Sequence, residues 1–238
     1  ESLQRLEIRS EPLRRDFPFS SLASLLAQRG RWRAQSRRRG RYAIRDTMPD
    51  IRDFILQNLR LEPAPGLPEI ILYRAHAGSR LSRLGDTPPY WAYHWAGGTV
   101  LARYILDHPQ IVRGKRVVDL GAGSGVVGIA AIKAEAKDVM AVDIDPNAIV
   151  ATNLNAEANG VTITALTGEL TAPPEADLIL AGDVFYDAAL ARKMAYHFTA
   201  CAKAGIDVLV GDMGRKPLLL NLLEPLAEYE VPDFGQAK

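Results

Sequence analysis

The chain has 238 residues, of which 47% are hydrophobic and 24% are charged, and its formal net charge is +1. These values are ordinary for a soluble globular protein and suffice for one α/β domain with a buried core. No apolar run approaches the roughly 20 residues of a membrane helix, and the single cysteine excludes a disulfide framework. The four histidines have no metal-ligand spacing, so the sequence predicts no metal site.

Charge divides the chain near residue 47. Residues 1–47 contain 12 arginines, no lysine and 5 acidic residues, so this segment carries +7 and the rest of the chain −6. Three interpretations stay open: an extension without a role in the chemistry, an organelle-targeting segment, or an arm that binds a nucleic acid or a partner. We expect an extension that is disordered or not native, because Met48 directly precedes a helical pattern over 49–61.

From residue 115 onward, strand and helix patterns alternate. The predicted strands are 115–120, 138–143, 162–166, 176–184, 207–211 and 228–231. The predicted helices are 124–135, 146–159, 187–204 and 217–226. This alternation is typical of a doubly wound, mostly parallel sheet, in which ligands bind at the carboxyl ends of the strands.

A glycine-rich loop, DLGAGSG, follows the first of these strands. Asp119 ends the strand, and Gly121, Gly123 and Gly125 then permit positive φ values and close approach of a ligand to the main chain. The helix that follows directs free N–H groups toward the same place. The loop therefore predicts a site for a nucleotide-like ligand.

Acidic residues follow three of the other strands. Asp143 can accept hydrogen bonds from ribose hydroxyls, with Asp145 as the alternative acceptor or as the cap of the next helix. Glu169 is either an acceptor for an adenine amino group or a solvated loop acid. Asp183 lies at the mouth of a buried strand in the sequence GDVFY, where capping of the next helix is the structural alternative.

Taken in order, DLGAGSG, AVDID, TGEL and GDVFYD resemble the class I S-adenosylmethionine-dependent methyltransferases over roughly residues 90–235. The upstream PPYWAYHWAGG is similar to the P-x-W-x-x-x-W-x-G-G lead-in of the seven-strand protein-lysine methyltransferases, and residues 183–186 match their D-x-x-Y motif. The chain most closely resembles the electron-transfer flavoprotein β-subunit lysine methyltransferase family and its bacterial relatives.

The resemblance implies an α/β, doubly wound, mostly parallel sheet of the seven-strand, Rossmann-like type. The chain departs from the family pattern at its C-terminal end, because it stops at Lys238 just after the sixth strand, and we expect the seventh strand to be missing. The resemblance also implies an N-terminal helix and aromatic lead-in over 48–98 and an S-adenosylmethionine-binding domain over 99–238. The implied catalytic residues are Asp183 and Tyr186, and those expected to line the lysine channel are Trp91, Tyr93 and His94. The implied cofactor-binding residues are Trp95, Asp119, Gly121, Gly123, Gly125, Asp143, Glu169 and Asp183.

The implied substrate is a protein: the electron-transfer flavoprotein β subunit or, alternatively, another protein such as a ribosomal protein. A small-molecule or nucleic-acid amine is a further alternative, because PPYW resembles a base-binding P-P-Y motif. It does not follow a hydrophobic strand, however, and the acidic body disfavours a polyanion. The remaining alternative is a non-catalytic nucleotide-binding or interaction module. Such a module would need the glycine loop but not Asp183, so the presence of Asp183 argues against it. We expect a monomer in the bacterial cytoplasm, or in the mitochondrial matrix of a eukaryote, with no membrane contact.

Overall fold

The computed structural model describes residues 3–10, 50–215 and 223–232. The strands are β1 (Leu3–Ser10), β2 (Arg60–Ala64), β3 (Leu67–Arg74), β4 (Arg116–Leu120), β5 (Asp138–Asp143), β6 (Thr164–Thr167), β7 (Leu178–Gly182), β8 (Asp207–Asp212) and β9 (Glu224–Pro232). The helices are α1 (Ile51–Asn58), α2 (Ala96–Asp107), α3 (Val126–Lys133), α4 (Pro146–Ala158) and α5 (Ala188–Lys203). None of these helices is long and apolar enough to cross a membrane.

Seven of the strands form one sheet in the order β6-β5-β4-β7-β8-β1-β9. The strands β4 to β8 are all parallel, and helices connect β4 to β5, β5 to β6 and β7 to β8. This arrangement confirms the doubly wound α/β fold and places the carboxyl ends of β4, β5, β7 and β8 along one edge, which we call the functional edge. The chain reverses its strand order between β4 and β7, so this edge contains a topological switch point.

The expectation that the seventh strand is missing is wrong. β1 lies between β8 and β9 and pairs antiparallel with both, so the N-terminal end of the chain supplies the strand. Strands pair through main-chain N–H and C=O groups, so the charged composition of residues 1–47 does not indicate that part of this segment joins the sheet. Leu3–Ser10 belongs to the sheet, whereas residues 11–47, with most of the arginines, lie outside the described residues.

At the C-terminal end, the predicted helix 217–226 is not confirmed. Residues 216–222 lie outside the described residues, and the last three residues of the prediction belong to β9. The predicted strand 228–231 also lies within β9. Alternating apolar and polar residues over this short stretch suit either element, and pairing with β1 selects the strand.

A two-stranded hairpin, β2–β3, was not predicted. Two amide side chains of α4 bind the outer edge of β3. Asn155 Oδ1 accepts from Tyr73 N–H at 2.8 Å, and Asn159 Oδ1 accepts from Ile71 N–H at 3.1 Å. These bonds satisfy donors that a two-stranded sheet would otherwise expose, which explains how so short a sheet is held in place.

Four glycines bring the start of α2 into main-chain contact with β7 and β8. A Cβ atom on Gly182 would lie 2.6 Å from the Cα atom of Gly98. Cβ atoms on Gly97 and Gly211 would each collide with the other residue's carbonyl oxygen. No larger residue fits at these three positions without a shift of the main chain. The glycines of the W-x-G-G sequence thus place the N-terminus of α2 at the functional edge.

Candidate active site

The predicted glycine loop joins β4 to α3 at the functional edge. Gly121, Gly123 and Gly125 all have positive φ values, of 71°, 53° and 80°. A Cβ atom on Gly125 would lie 2.8 Å from Cγ2 of Thr152, so this position has no room for a side chain. A Cβ atom on Gly123 would instead have Cα of Trp91 as its nearest neighbour, at 3.9 Å. The loop therefore packs tightly against α4 at Gly125, whereas a Cβ atom on Gly123 would make only ordinary van der Waals contacts.

Two polar side chains of α4 fix the orientation of this loop. Thr152 Oγ1 donates to the carbonyl oxygen of Gly123 at 3.1 Å, and Asn155 Nδ2 donates to that of Ser124 at 2.8 Å. Both side chains are buried. Because the carbonyl groups are held by α4, peptide N–H groups of the loop face away from it. No sequence motif marks Thr152 or Asn155 as site residues, although two polar positions three apart on an apolar helix face are a signal.

Asp143 lies at the end of β5, beside the loop. Its Oδ2 accepts from Gly123 N–H at 2.9 Å, and its Oδ1 accepts from Asp145 N–H at 2.9 Å. Burial raises the pKa of the Asp143 carboxyl above its ordinary value. Asp145 accepts from Asn147 N–H at 2.8 Å, which confirms the interpretation of this residue as the cap of α4. Asp143 therefore remains the candidate acceptor for a ribose.

Two other predicted cofactor-binding residues do not join this group. Asp119 is 1% exposed and accepts from Gly128 N–H at 2.8 Å, so its carboxylate anchors the first turn of α3 from beneath the loop. Burial raises the pKa of Asp119 to about 7. Glu169 is exposed and forms an ion pair with Lys193 of α5 at 2.5 Å. Its placement favours the solvated loop acid over an adenine contact, because a neighbouring lysine already occupies the carboxylate.

Asp183 follows β7, which lies next to β4 in the sheet. Its φ of 58° is unusual for a residue other than glycine and costs roughly 1–3 kcal/mol. The carboxylate compensates for this strain, because Oδ2 accepts from Gly98 N–H at 2.7 Å and Oδ1 accepts from Arg215 at 2.6 Å. A Cβ atom on Gly121 would lie 3.3 Å from Val184, so Asp183 is adjacent to the glycine loop.

Arg215 connects Asp183 to a second buried carboxylate. Asp212, at the end of β8, accepts from Arg215 Nη1 at 3.2 Å and from its main-chain N–H at 2.9 Å. The side chains of Asp183 and Asp212 are only 10% and 1% exposed. Burial raises the pKa of both carboxyls, and Arg215 opposes this rise. No sequence motif marks Arg215 or Asp212, and the contact between Arg215 and Asp183 spans 32 residues, so local patterns do not reveal either residue.

Exposed aromatic rings occur in the two segments next to this acidic group: Tyr186 lies three residues after Asp183, and Trp95 lies three residues before Gly98, whose N–H group binds Asp183. The ring of Tyr186 lies 6.1 Å from that of Tyr90, and Trp95 lies 5.7 Å from Tyr90 and 6.2 Å from Tyr93. We call these four residues the aromatic patch; each is between 42% and 56% exposed. Trp95 also donates from Nε1 to the carbonyl oxygen of Tyr90 at 2.9 Å, which joins two parts of the lead-in segment. Tyr90 had not been predicted as a site residue.

Two of the three residues predicted to line the lysine channel lie elsewhere. Trp91 is 2% exposed and packs in a core with Ile55, Leu59, Ala148 and Leu154, so its ring cannot border an open channel. His94 Nδ1 accepts from Arg74 Nε at 3.1 Å. Burial, assisted by the charge of Arg74, lowers the pKa of His94 to about 4, so this histidine is neutral at physiological pH and ties the lead-in to β3. Tyr93 alone keeps the predicted exposure.

The arrangement fits S-adenosylmethionine. A Cβ atom on Gly123 would make only ordinary contacts, the nearest at 3.9 Å. The N-terminus of α3 lies beside this position, and its cap, Gly125, supplies no side-chain hydrogen bond to the free N–H groups. The carboxylate of Asp143, which suits the hydroxyls of a ribose, binds Gly123 N–H. Among the described residues, no group of three or more histidine, cysteine or acidic side chains could hold a metal ion. A parallel sheet with a glycine loop, an acid after the second strand and an acid beside an aromatic patch defines the class of Rossmann-like methyltransferases.

Comparisons with known proteins identify the family within this class. A protein-family model described as ribosomal protein L11 methyltransferase (PrmA) matches residues 97–201. The electron transfer flavoprotein beta subunit lysine methyltransferase of Xenopus laevis is 41% identical over 199 residues, which cover 76% of this chain and 79% of that protein. The Danio rerio protein of the same name is 37% identical over 77% of each chain. This chain belongs to the family of electron transfer flavoprotein beta subunit lysine methyltransferases and is a methyltransferase.

The match spans a smaller share of some other relatives. The Rattus norvegicus relative is 42% identical over 156 residues, but the match spans only 61% of its length. A solved ribosomal protein L11 methylase from Lactobacillus delbrueckii subsp. bulgaricus is 36% identical over 35% of this chain and 45% of that chain, with a TM-score of 0.32. This structural overlap is too small to bear on the arrangement of the site.

Proposed function

We propose that this chain is an S-adenosylmethionine-dependent protein-lysine N-methyltransferase that acts on the electron transfer flavoprotein β subunit by direct, in-line methyl transfer. The observation that carries the proposal is Asp183, a buried carboxylate at the functional edge that lies next to the glycine loop and three residues before Tyr186 of the aromatic patch. The relatives from frog and zebrafish are named for this substrate. The net charge of −6 outside residues 1–47 favours a basic target segment over a nucleic acid.

Residues of β4, β5 and α3 would hold the cofactor. Peptide N–H groups around Gly123 and the first turn of α3 suit its carboxylate, and Asp143 suits its ribose hydroxyls. When bound, S-adenosylmethionine supplies a methyl group that is already activated by the sulfonium centre. The protein therefore mainly has to orient the amine and exclude water.

Asp183 is suited to orient the lysine. A lysine has a pKa of about 10.4 in water, so it arrives as an ammonium ion and must lose a proton before it can attack. The buried carboxylate attracts the ammonium and fixes its direction of approach, while the proton leaves to water. Because a carboxylate stabilises the charged form of the amine, Asp183 acts as an orienting group rather than as a strong base.

The aromatic patch favours the neutral form of the amine, whereas Asp183 favours its charged form. The rings of Tyr90 and Tyr186 lie 6.1 Å apart and present apolar faces to an incoming side chain. Partial desolvation between such rings favours the neutral amine, which is the nucleophile. The Tyr186 hydroxyl is half-exposed, and burial raises its pKa above the ordinary value, so it stays protonated and can donate a hydrogen bond.

Transfer of tritium from labelled S-adenosylmethionine tests this function. The protein is incubated with the purified β subunit, and the modified residue is then located by mass spectrometry. We expect label on lysine, and we expect prior acetylation of the subunit's lysines to remove it. Ribosomal protein L11 and total RNA are tested in parallel, because the matching family model is named for L11. Label on L11 alone, or on RNA alone, would contradict the proposed substrate.

A further inference from the structure

Asp183, Asp212 and Arg215 form a cluster with an unequal charge count. Nη1 of Arg215 lies 2.6 Å from Oδ1 of Asp183 and 3.2 Å from Oδ2 of Asp212. Two buried carboxylates therefore share one guanidinium nitrogen, and the cluster carries one uncompensated negative charge when both acids are ionised. A buried charge of this kind is costly unless a counter-ion completes it.

Among the described residues, Arg215 is the one cation that forms an ion pair with either carboxylate. The main-chain N–H group of Gly98 donates to Asp183, and the first turn of α2 contains no acidic side chain that would add to the negative charge. The charged groups that most affect the pKa of the two carboxyls are Arg215 and, for Asp212, Asp183 itself. Glu7 of β1 is the register partner of Asp212. Tyr186, three residues after Asp183, faces the same edge with a neutral hydroxyl.

We propose that Arg215 is a positioning residue whose single positive charge is shared by the two carboxylates, so that the cluster keeps one net negative charge for the ammonium group of the substrate beside Asp183. This proposal rests on the lysine methylation proposed above. Arg215 holds one oxygen of Asp183 while Gly98 holds the other, so the carboxylate keeps its strained main-chain conformation without substrate. The lysine then completes a cluster of two cations and two anions.

Substitution of Arg215 tests the charge count. In Arg215→Gln two adjacent carboxylates lack their cation, so one of them retains a proton at neutral pH. We expect kcat/KM for the protein substrate to fall about tenfold or more at pH 7.5, mainly through KM. The acid limb of the pH profile should move to higher pH. The dissociation constant of S-adenosylhomocysteine should stay within about twofold, because the hydrogen bonds of Arg215 run to Asp183 and Asp212.

A second substitution restores the single net negative charge of the cluster. The double variant Asp212→Asn/Arg215→Gln again has one carboxylate and no excess acid, so its acid limb should return to the wild-type position and its activity should exceed that of Arg215→Gln. Arg113→Gln, which breaks an exposed ion pair with Glu135, is the matched control and should leave the profile unchanged. A double variant no better than the single one, or an Arg215→Gln enzyme with the wild-type profile, would overturn the proposal.

Thermal unfolding separates this proposal from the proposed substrate. Without any substrate, Arg215→Gln should lose stability as the pH rises from 5 to 8, because its two raised carboxyl pKa values favour the protonated folded state. The double variant should lose less. If the wild-type protein fails to methylate the β subunit but this pattern appears, the substrate is wrong and the charge pairing by Arg215 stands. If the pattern is absent while methylation occurs, the charge pairing is wrong.

Discussion

The two halves of the functional edge stabilise their buried acids in different ways. At β4 and β5, Asp119 accepts from the main chain of Gly128, and Asp143 accepts from the main chain of Gly123 and Asp145. At β7 and β8, Asp183 and Asp212 share the side chain of Arg215. The first half is a main-chain scaffold, whereas the second is an ionic cluster.

This difference matches the demands on the two halves. Peptide N–H groups cannot titrate and move only with the loop, so the glycine-loop half suits a cofactor that is the same in every turnover. A guanidinium on a flexible stem can shift when another cation arrives, so the ionic half suits a protein substrate that must enter and leave. Substitutions that affect one half and spare the other can break or sharpen this comparison.

The largest effect is expected at Asp183. Asp183→Ala removes the orienting carboxylate, and misplacement of a nucleophile commonly costs about 100-fold or more in rate. Binding of S-adenosylhomocysteine, measured by calorimetry, should stay within a few-fold of the wild type. Asp187→Ala, which removes the cap of α5, is the control and should lower stability by about 1 kcal/mol with activity retained. Joint loss of cofactor affinity and activity in Asp183→Ala would assign this residue to the cofactor half.

A pH-dependent effect is expected at Asp119. Burial raises its pKa to about 7, so the folded protein binds a proton that the unfolded chain releases near pH 4. The stability that this proton contributes is complete below pH 4 and is lost as the pH rises through 7. Asp119→Asn does not titrate, so its unfolding free energy relative to wild type should rise by about 2–3 kcal/mol between pH 5 and 8.

Asp177→Asn is the control for this titration. Its hydrogen bonds with Arg116 lower the pKa of Asp177 to about 2, so the carboxylate stays ionised from pH 5 to 8. The difference in stability between Asp177→Asn and the wild type should therefore be constant over this range. A constant difference for Asp119→Asn as well, measured by urea unfolding at each pH, would show that Asp119 is ionised in the folded protein throughout.

The contact between α2 and the sheet should distinguish two neighbouring glycines. Gly97→Ala places a methyl group against the carbonyl oxygen of Gly211 and 2.8 Å from Oδ2 of Asp183, so we expect a loss of about 2 kcal/mol in unfolding free energy. Gly98→Ala meets two side chains of α3, the nearest at 3.6 Å, and Oδ2 of Asp183 at 4.0 Å, all ordinary van der Waals contacts, and alanine favours a helix. Equal midpoints of thermal unfolding for the two variants would contradict the close packing.

An effect mainly on cofactor affinity is expected at Asp143. Asp143→Ala removes a charged acceptor worth roughly 1.5–3 kcal/mol, so affinity for S-adenosylhomocysteine should fall at least about tenfold. Methylation at saturating cofactor should fall less, because the ionic half is intact. Asp145→Ala removes only the cap of α4 and should cost about 1 kcal/mol of stability with little change in affinity. The reverse order of affinities would make Asp145 the ribose acceptor.

Local patterns in the sequence determined the main elements of the fold. Each of the strands β4 to β8 and helices α3 to α5 was predicted within a few residues, because apolar periodicity, caps and glycines act over distances of one or two turns. The glycine loop and the cap at Asp145 follow from the same signals. The family resemblance added the predicted roles of Asp183 and Tyr186.

Only the tertiary structure decided how distant segments meet. It placed β1 between β8 and β9, turned Asp119 toward α3, buried Trp91 against α1 and α4, and brought Arg215 to Asp183. Main-chain pairing in a sheet carries little side-chain signature, and an ion pair across 32 residues depends on where two strands end. The sequence by itself therefore determined which residues stand at the functional edge of the parallel strands, and three-dimensional packing determined which charges they meet there.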